Sequence, residues 1–286
     1  MKRRDAINNM LIGMGGISIG TQLLGNKTLA GHNGNVNHSV CRWCYGGIPW
    51  EEFIEGIKGI DGLKSVELTT VEEWPMLIKN GLTCALGTGP FANIVEGFND
   101  PGNHDKLIQP YLGLIDNAAE YGIPSIIVFS GNRNGMDDET GLENCAVGLE
   151  KVVRHAEKKG VTVVMELLNS KVDHKDYMCD HTAWGVKLAE KIGSDRFKLL
   201  YDIYHMQIME GDVIRTIKDN HQYIAHYHTG GNPGRNEIDE TQELFYPAIM
   251  RAIVETGYDG WVAQEFIPTW DDKMKALNHG VRTCDV

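Results

Sequence analysis

From about residue 37 onward the chain repeats one unit eight times: a short β-rich run, then a longer stretch whose apolar residues recur near the helical period. The strand-like runs are 38–41, 65–68, 83–86, 125–129, 162–167, 198–202, 223–228 and 261–265. The helical stretches between and after them are 50–59, 71–80, 106–121, 142–159, 182–192, 212–220, 242–255 and 271–278. Runs such as Ile126-Ile127-Val128 and Val163-Val164-Met165 are apolar without alternation, as burial on both faces of a parallel sheet demands. Gly122 and Gly160 follow helical stretches directly and Gly257 follows one after Thr256, which is the usual way a helix stops before the next strand. The 286 residues fit one large domain or two small ones. Eight βα units with short returns decide for one: a single-domain (β/α)₈ TIM barrel of the α/β class over residues 35–286. No Gly-x-Gly-x-x-Gly follows the first strand, so a dinucleotide-binding sheet loses its main support.

Charge and hydropathy narrow the partners. With 39 acidic against 27 basic residues the formal net charge is −12, which repels nucleic-acid backbones and anionic lipid headgroups. No run of 18 apolar residues occurs, so no helix is expected to span a bilayer. Ahead of the barrel, Lys2-Arg3-Arg4-Asp5 precedes a weakly apolar, glycine-rich stretch from Met10 to Leu24 and then Leu29-Ala30-Gly31, a candidate cleavage site. Residues 1–30 therefore read as a twin-arginine export signal, which implies a periplasmic protein; the alternative is a solvated basic start on a cytoplasmic one. The cysteines Cys41, Cys44, Cys84, Cys145, Cys179 and Cys284 show no framework spacing. Cys41-Arg42-Trp43-Cys44 lacks a second pair to complete a zinc site and ends a strand rather than opening a helix, so buried or site-lining thiols are expected over a disulfide or redox pair.

The chemistry gathers at the carboxyl ends of the last four strands, which in a barrel converge on one mouth. Glu166 lies in Met165-Glu166-Leu167, Asp202 ends Leu200-Tyr201-Asp202, His228 ends Ala225-His226-Tyr227-His228, and Glu265 ends Ala263-Gln264-Glu265. They stand 36, 26 and 37 residues apart, about one βα unit each, and so are expected at one height around the mouth. A carboxylate in an apolar strand end is costly unless it is paired or ligated. Three carboxylates and one imidazole, with room for two substrate oxygens, suit one divalent cation, Mn²⁺ or Mg²⁺ before Co²⁺ or Zn²⁺. The bland alternatives are a salt bridge at Glu166, a helix cap at Asp202 and a hydrogen-bonded barrel histidine at His228, with His226 as the ligand if the register is two residues off. His205, one turn beyond Asp202, and Arg235, in the loop after the seventh strand, are the expected substrate contacts.

Six ordered motifs carry a resemblance over roughly residues 35–270. They are Asn37 to Val40 followed by Cys41-Arg42-Trp43-Cys44-Tyr45, Gly62-Leu63-Lys64-Ser65-Val66-Glu67-Leu68, Met165-Glu166-Leu167-Leu168-Asn169-Ser170, Tyr201-Asp202-Ile203-Tyr204-His205-Met206-Gln207, Pro233-Gly234-Arg235, and Gly257-Tyr258-Asp259-Gly260-Trp261-Val262. Together they resemble the hydroxypyruvate isomerase-like branch of the xylose isomerase-type barrels. The resemblance implies that Glu166 and Glu265 are the acid/base pair, each also touching the metal, with Asp202 and His228 completing the coordination. It implies an enediolate route for a 2-hydroxycarbonyl substrate, most simply hydroxypyruvate to tartronate semialdehyde, and a homodimer or homotetramer. Hydroxypyruvate isomerases commonly carry glutamine where this chain has His228, as ketose 3-epimerases do; epimerases in turn usually carry glutamate where this chain has Val172. The main rivals are a ketose 3-epimerase or another aldose–ketose isomerase and, from another class, a non-catalytic carbohydrate-binding barrel. An endonuclease of the same superfamily needs more histidines and a basic groove.

Overall fold

The computed structural model describes residues 32–286, so the export signal read at residues 1–30 lies outside the described residues. Eight parallel strands alternate with helices around a barrel. The strands are β1 (Asn37–Cys41), β2 (Leu63–Glu67), β3 (Leu86–Gly87), β4 (Ser125–Val128), β5 (Thr162–Leu167), β6 (Phe197–Asp202), β7 (Ile224–Thr229) and β8 (Trp261–Gln264). The helices are α1 (Trp50–Lys58), α2 (Trp74–Lys79), α3 (His104–Tyr121), α4 (Asp138–Lys159), α5 (Thr182–Ile192), α6 (Ile203–Met209), α7 (Val213–Asn220), α8 (Tyr246–Glu255) and α9 (Lys273–Cys284). No helix among the described residues is long and apolar enough to cross a membrane.

The ladder runs β2-β1-β8-β7-β6-β5-β4-β3. Its two ends meet across a short seam, where Val66 N donates to Thr83 O at 3.0 Å, Thr83 N to Lys64 O at 3.0 Å and Leu68 N to Leu86 O at 2.8 Å. The third run, expected at 83–86, thus contributes to the ladder, but regular strand is confined to Leu86–Gly87. The seam is tight because Trp74 lies across it: a Cβ on Gly87 would meet the Trp74 ring at 2.6 Å. Trp74 is fully buried and its indole N–H donates to Thr69 O, so the ring has nowhere to retreat. Gly87→Val is therefore expected to cost about 1–3 kcal/mol through overpacking. Denaturant unfolding checks this, and an unmoved midpoint would show that the seam has slack.

Two apolar layers follow from the period of two along each strand. Leu86, Ile127, Val164 and Leu200 form a small cluster inside the barrel, and the larger core packs the sheet's outer face against the helices. Glu166 stands two residues after Val164 and Asp202 two after Leu200, so both carboxylates continue the inward-facing rows toward the mouth. The strands are staggered: Asp202 pairs with His228, whereas Glu166 pairs with Leu200. The shared height expected from spacing is thus met by convergence of side chains across sheared strands.

Several helix limits move for local reasons. Helix α8 starts at Tyr246 rather than 242, with Pro247 in its first turn where the missing N–H costs nothing. Helix α4 starts earlier, at Asp138, because the Asp137 side chain accepts from Thr140 N at 2.9 Å.

Candidate metal centre at the strand ends

Strands β5 to β8 bring one ligand atom each from Glu166, Asp202, His228 and Glu265 within 4.8 Å of one another, all four side chains being buried. His228 Nδ1 lies 2.8 Å from Glu265 Oε2 and 3.3 Å from Glu166 Oε1. Glu166 Oε1 has no hydrogen-bond partner among the described residues despite its burial. Asp202 divides its carboxylate. Oδ1 caps α6 by accepting from Tyr204 N at 2.9 Å and His205 N at 3.3 Å, which leaves Oδ2 toward the centre. The cap and the ligand readings of Asp202 are thus compatible in one side chain.

Glu67 orders the two histidines of β7. Its Oε1 accepts from His228 Nε2 and from His226 Nε2, both at 2.8 Å. His228 therefore turns Nδ1 to the centre, and His226 is held behind it. Burial opposes ionisation of Glu67, but His226 and His228 outweigh it and hold this carboxyl down at about 2. Glu67, like the three carboxylates of the centre, is a buried acid at the carboxyl end of a barrel strand. The His-x-His of β7, needing a buried acceptor, was a second signal for it. Leu68, immediately after, takes a left-handed φ of 53° as the chain leaves the barrel.

Both expected substrate contacts reach the centre. Arg235 follows Gly234 in a left-handed turn (φ 98° and 57°), fixed by its N–H to Gly231 O at 2.8 Å and by Ile267 N to its carbonyl at 2.6 Å. Its Nη2 lies 2.5 Å from Glu265 Oε2 and 3.4 Å from Asp202 Oδ2. The guanidinium lies over Trp43, 5.1 Å from the ring centroid, and near Tyr204, while Trp43 Nε1 donates to Glu265 Oε1 at 2.8 Å. His205 is fully buried in the first turn of α6. Its Nδ1 lies 2.6 Å from the Asn169 side-chain amide, and its unpartnered Nε2 lies 3.5 Å from Asp202 Oδ2. All six cysteines are free and buried; Cys41 Sγ sits 3.8 Å from His228 Nε2, behind the centre.

The electrostatics separate the carboxyls. Burial lifts Glu166, and it lifts Asp202 far above the usual range despite Arg235. Burial acts the same way on Glu265, but Arg235 and His228 overcome it and hold that carboxyl well below the usual range. Burial works against a charged His228, yet Glu265 raises it well above an ordinary histidine. Burial, helped by Arg235, keeps His205 neutral. In their metal-binding forms, three carboxylates and a neutral imidazole would face one guanidinium, a deficit of positive charge at the centre. A divalent cation fits that deficit, the oxygen-rich donor set and the orphaned Glu166 oxygen alike.

A closed eight-stranded barrel with a carboxylate- and histidine-lined centre at its strand ends is the architecture of a TIM-barrel enzyme. The chain belongs to the xylose isomerase-like TIM barrel family, whose model matches residues 70–282. It is 31% identical over 223 residues to the 2-oxo-tetronate isomerase of Cupriavidus necator, covering 75% of this chain and 84% of that protein. It is 35% identical over 218 residues to the hydroxypyruvate isomerase of Escherichia coli, covering 74% and 84%. The D-psicose 3-epimerase of Clostridium cellulolyticum, solved with D-tagatose, shares the fold with a TM-score of 0.68 at 18% identity over 87% of this chain and 97% of its own. Both curated relatives are named isomerases, and the chain is an enzyme of that class.

Proposed function

We propose that this protein is a divalent-metal-dependent isomerase that moves a carbonyl between adjacent carbons of a small 2-oxo acid bearing a neighbouring hydroxyl, with hydroxypyruvate and a 2-oxo-tetronate as the first candidates. The observation that carries this reading is the convergence of Glu166, Asp202, His228 and Glu265 beside the buried cation of Arg235. These four residues would hold the ion, with Mn²⁺ or Mg²⁺ favoured by the carboxylate majority. When bound, the ion polarises the carbonyl and the adjacent hydroxyl and so lowers the cost of an enediolate.

The remaining work falls to side chains. Glu265, kept ionised by Arg235 and His228, takes the carbon-bound proton; Glu166, whose burial favours its protonated form, returns one to the neighbouring carbon. The hydroxyl proton passes to the former carbonyl oxygen, so the reaction is redox-neutral overall. His205, neutral and with Nε2 free, donates to or accepts from a substrate oxygen. Arg235 presents its fork to the substrate carboxylate. Trp43 and Tyr204 hold that fork in place.

The experiment is a Mn²⁺- and Mg²⁺-dependent turnover screen over hydroxypyruvate, 2-oxo-tetronates and several ketoses, read by product identity. Carbonyl transfer on a 2-oxo acid supports the reading. Exclusive inversion at C3 of ketoses replaces it with an epimerase, and a cation-free protein that binds sugar without turnover makes it a binding module. Epimerase chemistry has His228 in its favour. Against it, Val172 is 68% exposed and supplies no carboxylate to hold a sugar.

Glu67 contributes without touching substrate, by fixing the His228 tautomer and ring orientation. Glu67→Gln is expected to weaken Mn²⁺ binding about 10- to 100-fold. Calorimetric titration reads this, and an unchanged affinity removes Glu67 from any role in the centre.

A further inference from the structure

A second group of metal-competent side chains lies at the opposite end of the barrel. His38 is the second residue of β1 and pairs with Leu63 and Val262, at the floor of the sheet. The chain returns to this level after α9, where Asp285 caps the helix. His32, just ahead of β1, completes the group. His32 Nδ1 lies 2.9 Å and His38 Nε2 4.0 Å from the same Asp285 oxygen, Oδ1. One ligand atom from each of the three residues falls within a 4.8 Å span.

The decisive feature is that these three atoms are the ones left over. His32 Nδ1, His38 Nε2 and Asp285 Oδ1 are all buried and all without a hydrogen-bond partner among the described residues; His38, fully buried, satisfies neither ring nitrogen. An unpartnered polar group in such a place costs roughly 1–3 kcal/mol, so three together call for an explanation. His32 Nδ1 and Asp285 Oδ1 are close enough to bond to each other, yet they are not aligned to do so. Ligands about 2.0–2.1 Å from a tetrahedral ion stand roughly 3.3 Å apart, which the two separations bracket. The rest of the carboxylate is already anchored: Asp285 Oδ2 accepts from Asn33 N at 2.8 Å, leaving Oδ1 available. Asn33 Nδ2 to Asp285 O and Asn35 Nδ2 to Val286 O bind the same two chain segments together.

We propose that His32, His38 and Asp285 form a structural site for a zinc-class transition metal that fastens the segment entering the barrel to the last residues of the chain. Two imidazoles and one carboxylate, with water in the fourth position, are a zinc-type donor set, softer than the three carboxylates at the mouth. The site shares no residue with the mouth centre and does not depend on the proposed reaction.

The test uses the untagged full chain, stripped with chelator and titrated with Zn²⁺ by calorimetry with elemental analysis. Two equivalents are expected for the parent chain. The double variant Asp202→Asn, Glu265→Gln should keep one, which Co²⁺ replaces with the strong visible absorption of a four-coordinate ion. Adding His32→Ala to that background should remove it. A parent that binds one equivalent, lost entirely in the double variant, overturns the proposal; so does retention of the last equivalent after His32→Ala. X-ray absorption on the zinc-loaded double variant gives an answer even where His32→Ala fails to fold. Two imidazole ligands support the site and none overturns it. If instead the mouth reading is the one at fault, parent and double variant bind the same single equivalent and both keep the Co²⁺ spectrum.

Discussion

Glu166→Gln is expected to lower kcat by about 10³-fold or more while leaving the far-UV spectrum and the unfolding midpoint close to the parent's. The substitution keeps the shape of the side chain and an oxygen able to ligate, but it cannot carry a proton between carbons. Its environment should tolerate the exchange well, because burial already drives Glu166 toward its neutral form. Two causes of inactivity must be separated, since the residue is proposed both to ligate and to transfer a proton. If only coordination suffers, excess Mn²⁺ restores the rate; if the proton carrier is gone, saturation with metal restores nothing. The variant should still exchange the substrate's carbon-bound hydrogen with solvent deuterium through Glu265, because the first half of the reaction is left to the ionised partner. Near-normal turnover at saturating metal removes Glu166 from the mechanism.

That Glu166 and its three partners could be picked out without coordinates follows from how a barrel is built. A carboxylate or imidazole that ends an apolar strand is expensive wherever the strand lies, and eight parallel strands send all such ends to one mouth. Glu67 is less legible because its strand, Leu63-Lys64-Ser65-Val66-Glu67, carries polar residues and does not mark a costly carboxylate in an apolar run. Strand β2 precedes the irregular seam at β3, where Trp74 against Gly87 leaves little regular ladder to count. Helix α6 was illegible for another reason. Its residues Ile203, Tyr204, His205, Met206 and Met209 are all buried, so the segment has no polar face to give the 3.6-residue alternation, and it follows β6 without a turn. What announces it is Asp202, whose capping oxygen starts the helix and whose other oxygen stays with the centre. The floor group was invisible to pattern because His32, His38 and Asp285 are brought together only when the barrel closes and sets the segment ahead of β1 beside the residues after α9.

Removing the divalent ion is expected to abolish turnover, by at least about 10³-fold, with recovery on adding Mn²⁺ or Mg²⁺; affinity for the ion should rise with pH. The sign follows from which groups must lose protons. In the metal-free centre burial raises Glu166 and Asp202. Burial would lower His228, but Glu265 and its other neighbours raise it well above an ordinary histidine. Asp202 and His228 therefore retain protons to higher pH than free side chains would, and a cation must displace them, whereas Glu166 keeps its proton for the reaction. Glu265, held low by Arg235 and His228 against the effect of burial, is already ionised and contributes none. Protons and metal thus compete, and each proton displaced makes the dissociation constant fall up to about tenfold per pH unit while its group is still protonated. Calorimetry in buffers of different ionisation enthalpy counts the protons directly. Run in the His32→Ala background, it reads the mouth alone. A positive proton release with affinity climbing from pH 5 to 8 matches a buried carboxylate cage closing on an ion. An affinity flat across that interval, with no protons released, means that these side chains do not ligate the metal the enzyme uses.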